Sequence, residues 1–453
     1  MYISWVLMTR NTKLSTPNNR VIAPQSTCKS IKHQVSILPH WFIPSLLPLH
    51  LVGTSNSDTN LRTLYWQGIK LIPAVHIAVP SLMLLHLNFT RKLRHIEALQ
   101  DFLDTVETLC PNIKQYQIDL PRPHLFHDTI RAHMRRQSNL EAFSCPGVLF
   151  DADTISHFSQ MTTLRSLSFT PVPDVSDWTL PSDSTFVFST LTHLELRSKS
   201  LAEITGLLSC IRLPAVEDLK VTFTIHPSKE TVESFIKTIL IACSSIPLTK
   251  IEIRGVQRSR IFGGVTSESR HRLTLEDLRL SMAFINLRHV YINIQWFIGL
   301  ADDNLLALAS AWPHIHSLVI NDQWGWRTTG GITLQGLLQL LQKCGPLCEL
   351  CIAIHTGSFI NPPHGFDMGS LTPPSLLTLN LADSPIRSAD FPALVDVFVK
   401  LGMPGCSFSA WGGMNMEDVE EPKRAWNQVF ERVMMRFSGP VGERGSVVEV
   451  ESG

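Results

Sequence analysis

Three cysteines and a histidine stand close together late in the sequence: Cys344, Cys348, Cys351 and His355. Thiolate and imidazole are the ligands of tetrahedral zinc, and they are also the partners of nucleophilic catalysis. A structural zinc site wants paired cysteines in a turn with a second pair at a distance. Here Cys348 and Cys351 flank Leu350 in a stretch that reads as a strand, where the pleat sends neighbours to opposite faces. They are expected to be thiols packed in, or lining, an apolar interior. The 18 histidines yield no general base either. His314 and His316 bracket Ile315, while His193 and His289 fall within other strand-like stretches, and none has a Ser or Cys partner at a recognisable spacing. The sequence contains no phosphate loop ending in Gly-Lys-Ser/Thr, no Gly-x-Ser-x-Gly elbow and no His-Glu-x-x-His. The expectation is therefore a protein that is not an enzyme, with no catalytic residue, no cofactor and no metal. An enzyme or metal site at Cys344, Cys348, Cys351 and His355 is the remote alternative.

The elements that would carry such residues repeat. An apolar pattern Leu-x-x-Leu-x-Leu starts at Leu61, Leu82, Ile113, Leu140, Leu164, Leu191, Val216, Leu248, Leu287, Ile315, Leu347 and Leu376, each followed by apolar residues three and five positions on. The steps run from 21 to 39 residues and average about 29, within the leucine-rich-repeat range at its upper end. In so apolar a chain the pattern alone proves little, since chance gives roughly 40 matches. Proline supplies an independent test. Pro80, Pro111, Pro214, Pro247, Pro313, Pro346 and Pro374 each lie one or two residues ahead of a first apolar position, where about one or two prolines are expected by composition. Proline lacks an N–H and cannot continue a helix, so it ends one and sends the chain into an extended strand.

Segments with apolar residues three and four apart lie between these strands: Leu93–Leu109, Ser200–Ile211, Glu230–Cys243, Asn304–Trp312, Leu334–Cys344 and Ala389–Leu401. Strand, loop, helix and turn form the unit of an α/β leucine-rich-repeat solenoid of about 11–12 irregular repeats, with a curved parallel sheet on the concave side and helices on the convex side. Four regions follow. Residues 1–54 lack the repeat, residues 55–412 form the solenoid, residues 413–437 form a capping helix, and residues 438–453 form a disordered tail. The capping helix presents Val419, Trp426, Val429, Phe430 and Val433 on one side. The Gly-, Ser- and Arg-rich stretch Gly255–Arg272 reads as an inserted surface loop.

Composition bounds the function classes. Hydrophobic residues make up 44% of the 453, enough for a large core. Lys+Arg and Asp+Glu both number 39, so the basic surplus of a nucleic-acid binder is missing and no nucleic-acid partner is expected. Nine scattered cysteines, an odd number, read as reduced thiols of a cytoplasmic or nuclear protein. Met1–Arg10 does not read as a signal peptide, and the apolar stretch Val35–Val52 is cut by Pro39, Pro44 and Pro48, so no membrane partner is expected.

The stretch Leu273–Ile320 contains Leu275-Glu276-Asp277-Leu278, Phe284-Ile285-Asn286-Leu287, Leu300-Ala301-Asp302-Asp303 and Ala311-Trp312-Pro313-His314-Ile315. It resembles the divergent leucine-rich-repeat region of fungal F-box proteins, and the similarity extends from about Leu47 to about Gly412. The resemblance implies a substrate-recognition module of a cullin-type ubiquitin ligase, in which an N-terminal F-box docks on the ligase adaptor and the repeats capture a protein substrate. Residues 1–54 depart from it, showing neither the Leu-Pro start nor three amphipathic helices, with Ile37-Leu38-Pro39 only an echo. The F-box is lost, or lies upstream of Met1. The alternative is a free-standing repeat scaffold or decoy with no ubiquitin role.

The candidate partner-binding residues are those beside the buried strand leucines: His193, Glu195, Arg197, Asp218, Lys220, Lys250, Glu252, Arg254, His289, Tyr291 and Asn293. On parallel strands about 4.8 Å apart they form one mixed-charge surface. It serves either as a solvated face pairing its own charges or as a binding site. Trp324 and Trp326 follow a strand and precede a helix, so they occupy a loop. There they either anchor a partner or cap the core.

Overall fold

The computed structural model describes residues 61–67, 79–89, 96–173, 185–256, 272–327, 331–356, 375–403, 405–412 and 420–438. The expected N-terminal segment, tail and most of the insertion lie outside them. The chain divides into two compact units, Met1–Thr170 and Pro171–Gly453.

In the first unit, β1 (Thr63–Gln67), β2 (Leu84–Asn88), β3 (Gln115–Asp119) and β4 (Ala142–Phe150) pair in sequence order and in parallel, with β5 (Ser166–Pro171) next in the order. Their register aligns Leu64, Leu85, Tyr116 and Phe143, the middle apolar residues of successive repeats. Three helices alternate with the strands: α1 (Ile96–Leu109), α2 (His127–Arg136) and α3 (Ala152–Ser159). The first was expected from its spacing. The other two escape the pattern because α2 is mostly polar and buries only Ile130, His133 and Met134, while α3 is two turns long. Asp151 starts α3, its carboxylate accepting from the Thr154 N–H at 3.0 Å. Within β4, Gly147 adopts φ +106°, which glycine enters without strain, and a Cβ there would fall 2.6 Å from Pro123 Cγ.

The second unit continues the theme with β6 (His193–Arg197), β7 (Asp218–Phe223), β8 (Lys250–Gly255), β9 (His289–Asn293), β10 (Ser317–Ile320), β11 (Glu349–Cys351), β12 (Thr378–Asn380) and β13 (Ser407–Ser409). Each pairs in parallel with its successor, aligning Leu194, Leu219, Ile251, Val290, Leu318, Leu350, Leu379 and Phe408. The helices are α4 (Leu201–Ser209), α5 (Lys229–Ala242), the one-turn α6 (Leu275–Leu278), α7 (Asp302–Ala311), α8 (Leu334–Lys343), α9 (Phe391–Lys400) and α10 (Glu420–Phe437). Side chains of Ser200, Ser228 and Thr333 cap α4, α5 and α8 by accepting a backbone N–H three residues on. Successive repeats are also tied at their helix starts, because the Asp302 carboxylate accepts the Thr333 N–H at 2.7 Å and its hydroxyl at 2.6 Å.

Every apolar position of the twelve expected repeats is buried except Leu61, which is partly exposed. A thirteenth strand, β13, carries the same spacing in weaker residues, Met403, Cys406 and Phe408, and was not anticipated. Strand and helix side chains meet in one layer, as where Leu201 and Phe235 surround a small gap with Phe223, Ile253 and Ile292. Each unit is thus a run of parallel strand–helix repeats, the architecture of a leucine-rich-repeat solenoid. The terminal helix α10 packs on α9 and β13, burying Trp426, Val429, Phe430 and Val433; the Phe430 ring stacks on Phe408 with centroids 5.2 Å apart. Val419 lies outside the described residues. No described helix is long and apolar enough to cross a membrane.

Candidate functional site

Because alternate strand residues face the helices, the remainder form an outer face on the second unit. Three rows run across it in register. The first is His193, Asp218, Lys250 and His289; the second is Glu195, Lys220, Glu252 and Tyr291; the third is Arg197, Thr222, Arg254 and Asn293. All eleven strand residues singled out from the sequence therefore converge on four neighbouring strands.

Charge alternates along and between the rows. Lys220 Nζ lies 3.3 Å from Glu195 and 3.6 Å from Glu252, and Lys250 Nζ lies 3.0 Å from Asp218 and 3.8 Å from Glu252. Arg197 pairs with Glu195 at 2.8 Å, and Arg254 with Glu252. Burial works to raise the Glu195 carboxyl, but Arg197 and Lys220 outweigh it and hold the group below its ordinary range. His289 is held below the ordinary imidazole value, first by desolvation and then by His316 and Lys250. The rings of His289 and His316 lie 6.0 Å apart.

Tyr291 stands at the centre of the polar cluster beyond these pairs. Its hydroxyl donates to Asp322 Oδ1 at 2.8 Å, and the Arg254 guanidinium lies over its ring at 4.3 Å. Burial first, then the bond to Asp322, pushes the phenol well above its usual value, so it stays protonated. Two members of the surface are less available than expected. Glu252 and Asn293 are buried, Glu252 beneath three cations and Asn293 with its side-chain carbonyl accepting from the Gln323 N–H at 3.4 Å.

The tryptophan loop takes the core-capping alternative, which corrects its place among the candidate contacts. Trp324 and Trp326 are both buried, with 2% and 1% exposure. Asn321, at φ 55° and fully buried, reverses the chain: its side chain accepts from the Ile294 N–H at 2.9 Å and donates to the carbonyls of Trp296 and Gly325. Asp383 then accepts the backbone N–H of Trp326 at 2.6 Å and of Arg327 at 2.7 Å. Gly325 sits at φ +71°, where a Cβ would meet Asp383 at 2.7 Å. So curled, the loop turns both rings inward, and the Trp326 indole donates to the Ile320 carbonyl at 2.8 Å.

The cysteine cluster does not assemble. Cys344 and Cys351 are buried, and burial pushes the Cys344 thiol up to about 11 and that of Cys351 well above its usual value. Among the described residues, the one group of three whose ligand atoms converge is Asp104, Glu107 and His133 on α1 and α2, and Cys344, Cys348, Cys351 and His355 do not form one. In that group Arg136 already engages both carboxylates, reaching Glu107 at 3.0 Å.

Sequence reasoning passed over Asp322, which anchors Tyr291, and the pair Ser317–Glu349, joined at 2.6 Å in the row of His289. Continuing the outer rows one repeat further would have found Ser317 and Glu349. It also passed over the outer face of the first unit, where the Tyr65 and His86 rings meet edge-on at 4.4 Å and His86 pairs with Asp119 at 2.9 Å.

The fold and this face define a repeat protein of the leucine-rich-repeat class, a conclusion that rests on the strand order and the buried repeat positions. No protein-family model matches the chain, and no curated protein sequence matches it. Solved structures similar to it include Rad7 in its yeast complex with Elc1, at 15% identity and a TM-score of 0.42, covering 81% of this chain and 80% of that one. An internalin from Listeria monocytogenes matches at 12% identity and 0.37, covering 77% and 79%. TLR13 in its complex with ssRNA13 matches at 13% and 0.31, covering 72% and 43%.

Proposed function

We propose that this chain is a protein-recognition module that captures its partner on the outer sheet face of the second unit, like the substrate-binding part of an F-box subunit of a cullin-type ubiquitin ligase. The observation that carries this is the convergence of Arg197, Lys220, Lys250, Arg254, His289 and Tyr291 on four strands held in register by backbone hydrogen bonds. A rigid sheet orders these side chains before a partner arrives, which lowers the entropy cost of binding. Arginine and tyrosine are the residue types that anchor interfaces. The ubiquitin connection rests on the sequence resemblance around Leu275–Ile315.

A photo-crosslinking amino acid at position 291 tests the face: a discrete crosslinked partner from cells is expected, and crosslinks only at positions outside the sheet would overturn the assignment. Purified ligase adaptor separates the ligase subunit from a free-standing scaffold. Residues 1–54 show neither the Leu-Pro start nor three amphipathic helices, so this chain alone should retain no adaptor at micromolar concentration.

A further inference from the structure

The ion pairs of the outer face are not level with one another. The side chains of Glu252, Glu195 and Asp218 are 8% to 25% exposed, whereas those of Lys220, Lys250, Arg254 and Arg197 are 32% to 47% exposed. The shorter acidic side chains lie near the sheet, and the longer basic ones cross over them with their ends toward solvent. A face with nearly balanced charge thus presents its positive layer outermost. We propose that it binds an acidic, extended protein segment, a partner chemistry that rests on the face being the recognition site.

The spacing narrows the segment further. Arg197 and Arg254 share a row, with Thr222 on the strand between them. Two rungs separate them by about 10 Å, which an extended segment in the polyproline II conformation covers in one turn of three residues at about 3.1 Å each, so that residues i and i+3 share a face. The segment therefore crosses the strands with Asp or Glu at positions i and i+3, each carboxylate meeting one guanidinium fork. Lys220 lies in the next row and Lys250 in the row beyond it, as point charges that draw in further acidic residues. Nucleic acid fits the arrangement less well, because three carboxylates underlie the cations and the whole chain has a formal net charge of zero.

Fluorescence polarisation on the full chain tests this with three probes: a Gly/Ser peptide bearing Glu pairs at i and i+3, the same peptide with Lys for Glu, and a single-stranded RNA oligonucleotide. The acidic peptide should bind tightest and weaken as salt rises. Arg197→Gln and Arg254→Gln should each weaken it by about tenfold with the thermal midpoint unchanged. Equal binding of the Lys peptide, tighter binding of the RNA, or unchanged affinity in both variants would overturn the proposal. None of these results removes a protein crosslink at position 291, so wrong partner chemistry is distinguishable from a wrong face. Loss of that crosslink while the acidic peptide still binds would overturn the recognition reading instead.

Discussion

The guanidinium carbon of Arg254 lies 4.3 Å from the centre of the Tyr291 ring on the neighbouring strand, across one rung of the sheet. The arginine is held from beneath by Glu252 and the tyrosine from its far end by Asp322, so each is fixed by a contact the other does not make. The pair is preorganised. Arg254→Ala and Tyr291→Ala should each weaken capture of the crosslinked partner by about 1–3 kcal/mol, the range of interface hot spots. Neither should unfold the chain, because both side chains face away from the helices. Titration of the isolated partner by calorimetry, alongside circular dichroism, checks both halves of the expectation.

Leu194 is the matching control. It is 2% exposed and aligned with Leu219 in the buried column of the second unit. Leu194→Ala should cost about 2–5 kcal/mol of stability by opening a cavity. Urea denaturation would show the loss, while partner affinity per folded molecule should stay unchanged.

Asp383 holds the tryptophan loop by two charge-assisted bonds to successive backbone N–H groups. Asp383→Ala removes both at once and should destabilise the second unit by about 2–4 kcal/mol. The freed loop would let water reach Trp324 and Trp326, so the expected signature is a red shift of tryptophan fluorescence. An unshifted spectrum would mean that core packing alone keeps the rings inside.

His133 gives the first unit a pH dependence. It is fully buried on α2 and 3.3 Å from the Glu107 carboxylate, and desolvation outweighs that carboxylate to bring its pKa down to about 4. In the unfolded chain the ring titrates at its ordinary value near 6.5. Below that value the unfolded state takes up a proton that the folded state refuses. The stabilising effect is therefore complete above about pH 6.5 and is lost as pH falls toward 4, by up to about 3 kcal/mol. His133→Leu should flatten this part of the stability profile relative to the unsubstituted chain. Parallel profiles for the two proteins would show that another group is responsible.

The repeat was readable in the sequence because its causes are local. Each strand buries residues at fixed spacing, proline ends the preceding helix, and Ser200, Ser228 and Thr333 cap the next one within three residues. The same alternation placed Arg197, Lys220, Arg254 and Tyr291 on one face, since the pleat alone sets which side a strand residue takes. The spacing at Met403, Cys406 and Phe408 was equally present but written in residue types that weaken the apolar signal. Other features were decided only when distant segments met. Trp324 and Trp326 turn inward because Asp383, 57 residues beyond Trp326, takes up the loop's backbone N–H groups. α2 is held by a histidine whose burial no polar helix sequence announces. The layering of cations over carboxylates is likewise tertiary. It arises from unequal side-chain lengths on strands about 4.8 Å apart, so the sequence determined which charges share the face and the stacked sheet decided which of them stand outermost.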